Sequence, residues 1–206
     1  MRRHERAIPS FRPGQRVGLF GGSFNPAHGG HLAVAEAARA ACRLDRVVWL
    51  VSPGNPLKSA KEYLGYGERL ARAKALTKGR PWIEVSAAEA RLGTRYTADT
   101  LTALKKRGPN ANFVWIMGAD SLAGFSRWRD WRLIAQMMPI LVVSRPGATM
   151  KALKGRAGLR LSRFRLPPAL APTLPKRRPP AWIFLPAVHD PASATAIRAE
   201  LFTLPK

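Results

Sequence analysis

Val17-Gly18-Leu19-Phe20-Gly21-Gly22-Ser23-Phe24-Asn25-Pro26-Ala27-His28-Gly29-Gly30-His31 is the stretch that decides how the rest of the chain is read. Val17 to Phe20 is a short apolar run stopped by two glycines, the pattern of a buried strand. From His31 to Ala41 the chain is rich in Ala and Leu, with Glu36 and Arg39 interspersed, which predicts a helix. A strand therefore runs through a glycine-rich turn into a helix.

The same alternation recurs outward from this point. A second strand is predicted at Val47-Val48-Trp49-Leu50-Val51, ending in the loop Ser52-Pro53-Gly54-Asn55-Pro56. Gly67 to Leu76 reads as an amphipathic helix and Trp82-Ile83-Glu84-Val85 as a third, shorter strand. Thr97 to Lys106 reads as a helix, with Thr97 as N-cap and Gly108-Pro109 as the stop. Phe113 to Met117 is a fourth strand closed by Gly118, Ile140 to Val143 a fifth, and Trp182 to Leu185 a sixth. Short apolar strands alternating with helices imply a parallel sheet covered on both faces. The expected fold class is α/β, a doubly wound, mostly parallel sheet in one domain over residues 15–206. Residues 1–14 read as a loose basic tail, and the Pro-rich basic stretch over about 150–180 as a long surface excursion. Ligands of such sheets bind beyond the carboxyl ends of the strands, so the chemistry is expected just after strands.

Composition narrows the function classes. Hydrophobic residues make up 46% of the 206, enough for a substantial core. The single cysteine, Cys42, excludes an internal disulfide and any site needing two cysteine ligands from this chain. Arg2, Arg3, Arg6, Arg12 and Arg16 stand near the start without the apolar run of a signal peptide, and no stretch approaches the length of a membrane span. A cytoplasmic location with no membrane partner is expected.

The balance of 35 Lys and Arg against 12 Asp and Glu gives a formal charge of +23. Nucleic-acid binding, a site for a small phosphorylated substrate, and a plain solubility bias all fit that number. Between Trp131 and His189 eleven basic residues meet no acidic one, many of them in the Pro-rich stretch ending Leu174-Pro175-Lys176-Arg177-Arg178-Pro179-Pro180. That reads as an exposed basic segment rather than a nucleic-acid module. No nucleic-acid partner is expected, and the oligomeric state is left open.

The turn itself carries chemistry. Its glycines let backbone approach a phosphate and offer N–H donors. A helix starting near Gly29 points unpaired N–H groups and a positive dipole end at an anion. His28 and His31 are three apart and project from one face of the first turn. Structural caps, half of a metal site and a pair of phosphate ligands are all open to them. No nearby Cys or carboxylate completes a metal shell. The segment is neither a Walker A loop nor Gly-x-Gly-x-x-Gly.

His28-Gly29-Gly30-His31 resembles the His-x-Gly-His signature of the nucleotidyltransferases. The preceding Gly-Gly-Ser-Phe-Asn-Pro is similar to the nicotinate-nucleotide adenylyltransferases among them. Pantetheine-phosphate enzymes typically carry Asp and Thr where this chain has Asn25 and His28. Downstream, Arg95-Tyr96-Thr97-Ala98-Asp99-Thr100-Leu101 is similar to the family's Tyr-Thr-x-Asp-Thr segment. Met117-Gly118-Ala119-Asp120 with Trp128-Arg129-Asp130-Trp131 resembles its Gly-Ala-Asp and Trp-x-x-Trp pair, and Ser193-Ala194-Thr195-Ala196-Ile197-Arg198 its closing motif. The four matches stand in family order across residues 21–198.

The resemblance implies a Rossmann-like site at the first strand, joining the AMP part of ATP to nicotinate mononucleotide, with Mg²⁺ bound largely through the ATP phosphates. It implies ATP contacts at Gly21, Gly22, Ser23, Phe24, His28, His31, Ser193, Thr195 and Arg198, with His28, His31 and Arg198 catalytic. Nicotinate mononucleotide would meet Asn25, Thr97, Gly118, Asp120 and Trp128. Thr97 as a cap, Asp120 as a turn cap, Trp128 as a packing residue and Ser193 with Arg198 as a helix start are the structural alternatives. Ala194 departs from the family's second serine, and Lys58 is a further phosphate candidate or a solvated lysine.

Overall fold

Why the chain adopts seven parallel strands is visible in its two alternating apolar sets. The computed structural model describes residues 8–54, 64–144 and 152–186. Its strands are β1 (Arg16–Gly22), β2 (Arg46–Val51), β3 (Ile83–Ser86), β4 (Asn112–Gly118), β5 (Ile140–Val143), β6 (Arg165–Leu166) and β7 (Trp182–Leu185). They form one sheet of order β3-β2-β1-β4-β5-β7-β6, every pairing parallel. Helices α1 (Gly29–Cys42), α2 (Tyr66–Leu76), α3 (Ala88–Leu92), α4 (Thr97–Arg107), α5 (Ala119–Gly124), α6 (Trp131–Met137) and α7 (Arg156–Arg160) connect and cover it.

Successive side chains of a strand point to opposite faces. Leu19, Leu50, Trp115, Met117 and Val142 therefore meet Leu101, Leu104, Leu122 and Ile134 of α4, α5 and α6. Phe20, Trp49, Ile116, Leu141 and Ile183 meet Leu32, Ala35, Ala38 and Cys42 of α1 on the other side. The chain leaves β1 toward β2 and β3 on one side, and returns beside β1 as β4 on the other. The strand order thus reverses at the β1–β4 pair, the place where open α/β sheets take ligands beyond the carboxyl ends of their strands.

Four expectations change. Six strands were predicted; β6 is a seventh, and two residues are too short to show any period. Thr97 is not the N-cap of α4: Tyr96 holds that place, Thr97 is the first helical residue, and no side chain caps this end. Residues 8–14 are not loose. Phe11 stands edge-on to Phe113 at 4.8 Å, Gly14 donates to the Asn110 carbonyl at 2.8 Å, and Arg46 donates to the Ser10 carbonyl at 2.7 Å. The basic excursion is only partly a surface feature, because Ala171, Leu174 and Pro175 are buried where its 3₁₀ turns lie against α1 and β7. Among the described residues its Lys and Arg side chains are exposed, while its small apolar residues close one flank of the core. No helix among the described residues is long and apolar enough to cross a membrane.

Candidate active site

At the carboxyl end of β1 the turn is built around two imidazoles. His28 is the N-cap of α1 and only 5% exposed; its Nδ1 accepts the Gly30 N–H at 3.1 Å. His31, in the first turn, reaches back so that its Nδ1 accepts the His28 N–H at 3.3 Å. Ser or Thr with Glu usually make this capping box; here two histidines do. With both Nδ1 atoms accepting, each neutral ring carries its proton on Nε2, and those N–H groups become the donors the site can turn toward an oxyanion. The ring centroids stand 4.0 Å apart. No acidic residue lies in the first turn of α1, so the positive end of its dipole is not offset from within.

Below the histidines sits an aromatic floor. Phe24 stacks on Trp49 at 4.7 Å and 10°, and its ring is 4.9 Å from His31. Phe24 is fully buried, at a backbone φ of 45°, so its side chain supports His31 and any contact with ATP falls to its backbone. Asn25, 3% exposed, accepts the Leu64 N–H at 2.9 Å and so ties the turn to the segment entering α2. The Ser23 carbonyl accepts from Arg69 at 2.5 Å.

Gly21 has a packing reason of its own. A Cβ there would stand 2.3 Å from Cη2 of Trp115, and the Trp115 ring in turn meets Trp128 edge-on at 6.3 Å. A row Gly21–Trp115–Trp128 therefore links the turn to the Trp-x-x-Trp segment. Trp128 is half-buried, also edge-on to Phe125 at 5.4 Å. The Arg129 guanidinium lies 4.6 Å over the ring of Tyr96, which brings the Trp128 segment against the start of α4 and Thr97. At the end of β4, Gly118 gives room to Asp120, whose Oδ1 would be 2.4 Å from a Cβ at that position. Ser193, Thr195, Arg198 and Lys58 lie outside the described residues.

Gly21→Ala is expected to displace Trp115 and Trp128 together and to cost about 1–3 kcal/mol of stability. Denaturant midpoints and near-ultraviolet circular dichroism read both effects, and pairing the change with Trp115→Phe should recover part of the loss. An unchanged midpoint would mean the turn is not held by that contact.

Two residues of the site region were not picked out from the sequence. Arg69, 1% exposed, donates to the carbonyls of Leu64 (3.1 Å), Ser23 (2.5 Å), Ser52 (2.7 Å) and Pro53 (2.8 Å). One guanidinium thereby clamps the β1 turn, the β2 loop and the start of α2, using the fork geometry a lysine lacks. Its signal was its helical position, three residues after Tyr66 and four before the buried Ala73. Glu89, at the start of α3 just past β3, is 7% exposed, and burial pushes its carboxyl up from the usual 4.5 to about 7 despite a hydrogen bond from Ser52. The folded protein holds that proton more tightly than the unfolded chain does. Its contribution to stability is therefore full below about pH 4.5 and is lost as pH rises through about 7, by up to about 3 kcal/mol. Glu89→Gln should flatten that part of the stability–pH curve; an identical curve would place the charge in solvent. Among the described residues no group of three or more His, Cys, Asp or Glu side chains is arranged to hold a metal ion.

Comparison with known proteins agrees with this geometry. Residues 19–200 match the cytidylyltransferase-like family. A Brucella suis protein named "Probable nicotinate-nucleotide adenylyltransferase" is 48% identical over 182 residues, covering 88% of this chain and 93% of its own. One of the same name from Caulobacter is 51% identical over 183 residues, covering 89% and 96%. The solved nicotinic acid mononucleotide adenylyltransferase of Plasmodium falciparum, complexed with NaAD, shares the fold with a TM-score of 0.66 at 13% identity, over 90% of this chain and 83% of that one. The capped His-Gly-Gly-His turn at a strand-order reversal and these two levels of similarity agree, and the chain belongs to the cytidylyltransferase-like nucleotidyltransferases and, among them, to the nicotinate-nucleotide adenylyltransferases.

Proposed function

We propose that the chain transfers AMP from ATP to nicotinate mononucleotide, giving nicotinate adenine dinucleotide and pyrophosphate, a step in the making of NAD. The observation that carries this is the imidazole pair at the start of α1, whose two Nδ1 atoms both accept backbone N–H groups of the turn, so that each neutral ring holds its proton at Nε2. A phosphate oxygen of the mononucleotide attacks the α-phosphorus of ATP, the new P–O bond forms, and the bond to the β-phosphate oxygen breaks as pyrophosphate leaves. No covalent enzyme intermediate is needed, so the protein's task is alignment and charge neutralisation. His28 and His31 hold the α-phosphate oxygens where charge grows in the transition state. Mg²⁺, a hard cation that keeps oxygen ligands, would be held through the ATP phosphates and would supply positive charge against that of the leaving group.

For the acceptor, Trp128 offers a flat face to the pyridinium ring. Thr97 and the first N–H groups of α4 suit the nicotinate carboxylate, and Asp120 suits ribose hydroxyls. Ser193, Thr195 and Arg198 are assigned to the outer phosphates of ATP by their match to the closing motif. Small phosphorylated substrates thus account for a basic protein without a nucleic-acid partner, and the reaction is one of cytoplasmic nucleotides. Supplying ATP with nicotinate mononucleotide should release pyrophosphate and dinucleotide in equal amounts, and neither substrate alone should give either product. Pyrophosphate without dinucleotide would refute the acceptor.

Arg198→Lys keeps the charge and loses the planar fork, so KM for ATP should rise while KM for the mononucleotide changes little. Steady-state kinetics with each substrate varied in turn decides it, and an unchanged KM for ATP would put Arg198 on the surface.

A further inference from the structure

Two threonine hydroxyls meet where α3 gives way to α4. The oxygens of the fully buried Thr100 and the half-buried Thr94 stand 2.7 Å apart. Thr94 is fixed by its own backbone, since its N–H donates to the Glu89 carbonyl at 3.1 Å and closes the end of α3. The Tyr96 carbonyl is met by three donors: the Asp99 N–H at 3.1 Å, the Thr100 N–H at 3.2 Å and the Thr100 hydroxyl at 3.3 Å. The Glu89 carbonyl also lies in reach of Thr94, but 3.5 Å from its hydroxyl oxygen. With one proton on each hydroxyl, Thr94 donating to Thr100 and Thr100 to Tyr96 makes the shorter contacts and leaves only the longest unmade. The peptide unit joining Tyr96 to Thr97 is planar, and its C=O and N–H point opposite ways. Holding the Tyr96 carbonyl along α4 therefore fixes the direction in which the Thr97 N–H leaves the helix. Each donor on that carbonyl also polarises the same N–H.

We propose that Thr94 and Thr100 are positioning residues for the acceptor, and that their hydroxyl pair sets the preference for a pyridine carboxylate over its amide. The proposal rests on the reading of the α4 start as the nicotinate site. Neither hydroxyl touches the substrate; both act through the Tyr96–Thr97 peptide. No side chain caps this end of α4, and the Arg129 guanidinium over the Tyr96 ring holds that side chain rather than the carbonyl. A carboxylate forms charge-assisted hydrogen bonds, which gain most from a well-aligned donor, whereas the neutral amide oxygen gains less from the same N–H. Misalignment of the Thr97 N–H therefore falls mainly on nicotinate. A helical threonine donating to the carbonyl four residues back is common, and Thr102 does so to Ala98 at 2.8 Å. The place of the bond makes the difference. The Ala98 carbonyl shares its peptide with the Asp99 N–H, which is already spent on Tyr96 inside the helix. The Tyr96 carbonyl shares its peptide with an N–H at the open end.

The test compares Thr100→Val, Thr100→Ser and Thr102→Val with wild type in the whole chain. The readout is kcat and KM for nicotinate and nicotinamide mononucleotides at fixed salt, with KM for ATP measured beside them. Thr100→Val keeps the volume and loses the hydroxyl. It should raise KM for nicotinate mononucleotide about tenfold and narrow the acid-over-amide preference by about the same factor, with KM for ATP within about twofold of wild type. Thr100→Ser keeps the hydroxyl and should hold the preference within about threefold. Thr102→Val removes an equivalent bond from the same helix and should leave the preference unchanged, which separates positioning from a general loosening of α4. A folded Thr100→Val protein with the wild-type preference would overturn the proposal. So would a Thr102→Val protein that narrows it equally, or a Thr100→Ser protein no better than Thr100→Val. Should Thr100→Val fail to fold, the half-buried Thr94 decides: Thr94→Val should narrow the preference, and an unchanged one would overturn the proposal. Failure of the nicotinate reading shows separately, as equal use of the two mononucleotides by wild type, and takes this proposal with it. A wild-type preference that ignores both threonines overturns the proposal alone.

Discussion

Turnover by His31→Ala is expected to fall about 10²- to 10³-fold, with the protein still folded. The imidazole has a structural task, visible in its contacts, and the catalytic one proposed above. Its Nδ1 closes the capping box by accepting the His28 N–H, and on the proposed function its Nε2 would donate toward the reacting phosphate. Loss of the cap costs about 1 kcal/mol of stability, which circular dichroism and a denaturant curve will register without abolishing the fold. Loss of the Nε2–H removes a donor aimed at charge that exists only in the transition state, so kcat should fall more than KM rises. His31→Gln separates the two effects, because its side-chain oxygen can reach back to the same backbone N–H. Stability should return toward wild type in that variant while turnover stays low. A folded His31→Ala protein that keeps more than about a tenth of wild-type turnover would remove His31 from catalysis.

Nicotinate mononucleotide is expected to be used about a hundredfold better than nicotinamide mononucleotide, measured as kcat/KM. Nicotinate carries a carboxylate, nicotinamide a neutral amide of nearly the same shape. No side chain caps α4, so the N–H groups of its first turn and the Thr97 hydroxyl are suited to an anion. Asp99 in that turn works against an anion, but it is exposed and screened. The Arg129 guanidinium over Tyr96 adds positive charge at the same end. Two charge-assisted hydrogen bonds lost, or turned against an amide NH₂, cost about 3 kcal/mol or more, which is the hundredfold. Thr97→Val removes the hydroxyl at similar volume and should narrow the preference at fixed salt. Equal use of the two substrates by wild type would rule out a carboxylate pocket here.

Much of the architecture is legible because apolar runs in a parallel sheet are continuous. The predicted Ile140–Val143 and Trp182–Leu185 strands coincide with β5 and β7, which are buried on both faces. Helices α3, α5, α6 and α7 are each at most seven residues, too short to show a period, and tertiary packing rather than propensity holds them. The tail misled because its arginines suggest solvent, whereas Phe11 finds an aromatic partner ninety residues and more away in sequence. In the site, the histidines were legible from their spacing, but their tautomer was not, since it depends on which backbone N–H each Nδ1 meets. Thr97 resembled a cap because Thr usually is one. Arg69 and Glu89 escaped because charged residues are expected outside, and only tertiary structure shows that one is bound to four carbonyls and the other is buried beneath the β2 and α2 segments.

Imidazole ¹⁵N spectra of His28 and His31, recorded before and after adding Mg²⁺ and an ATP analogue that cannot be cleaved at the α-phosphate, test the central claim most directly. The free protein should show both rings protonated at Nε2 and unprotonated at Nδ1, as the capping box requires. On adding the analogue, both Nε2 signals should shift as they donate to phosphate oxygens, while the Nδ1 signals stay near their free values. A proton found on either Nδ1 in the free protein, or Nε2 signals that do not move at saturating analogue, would contradict the account.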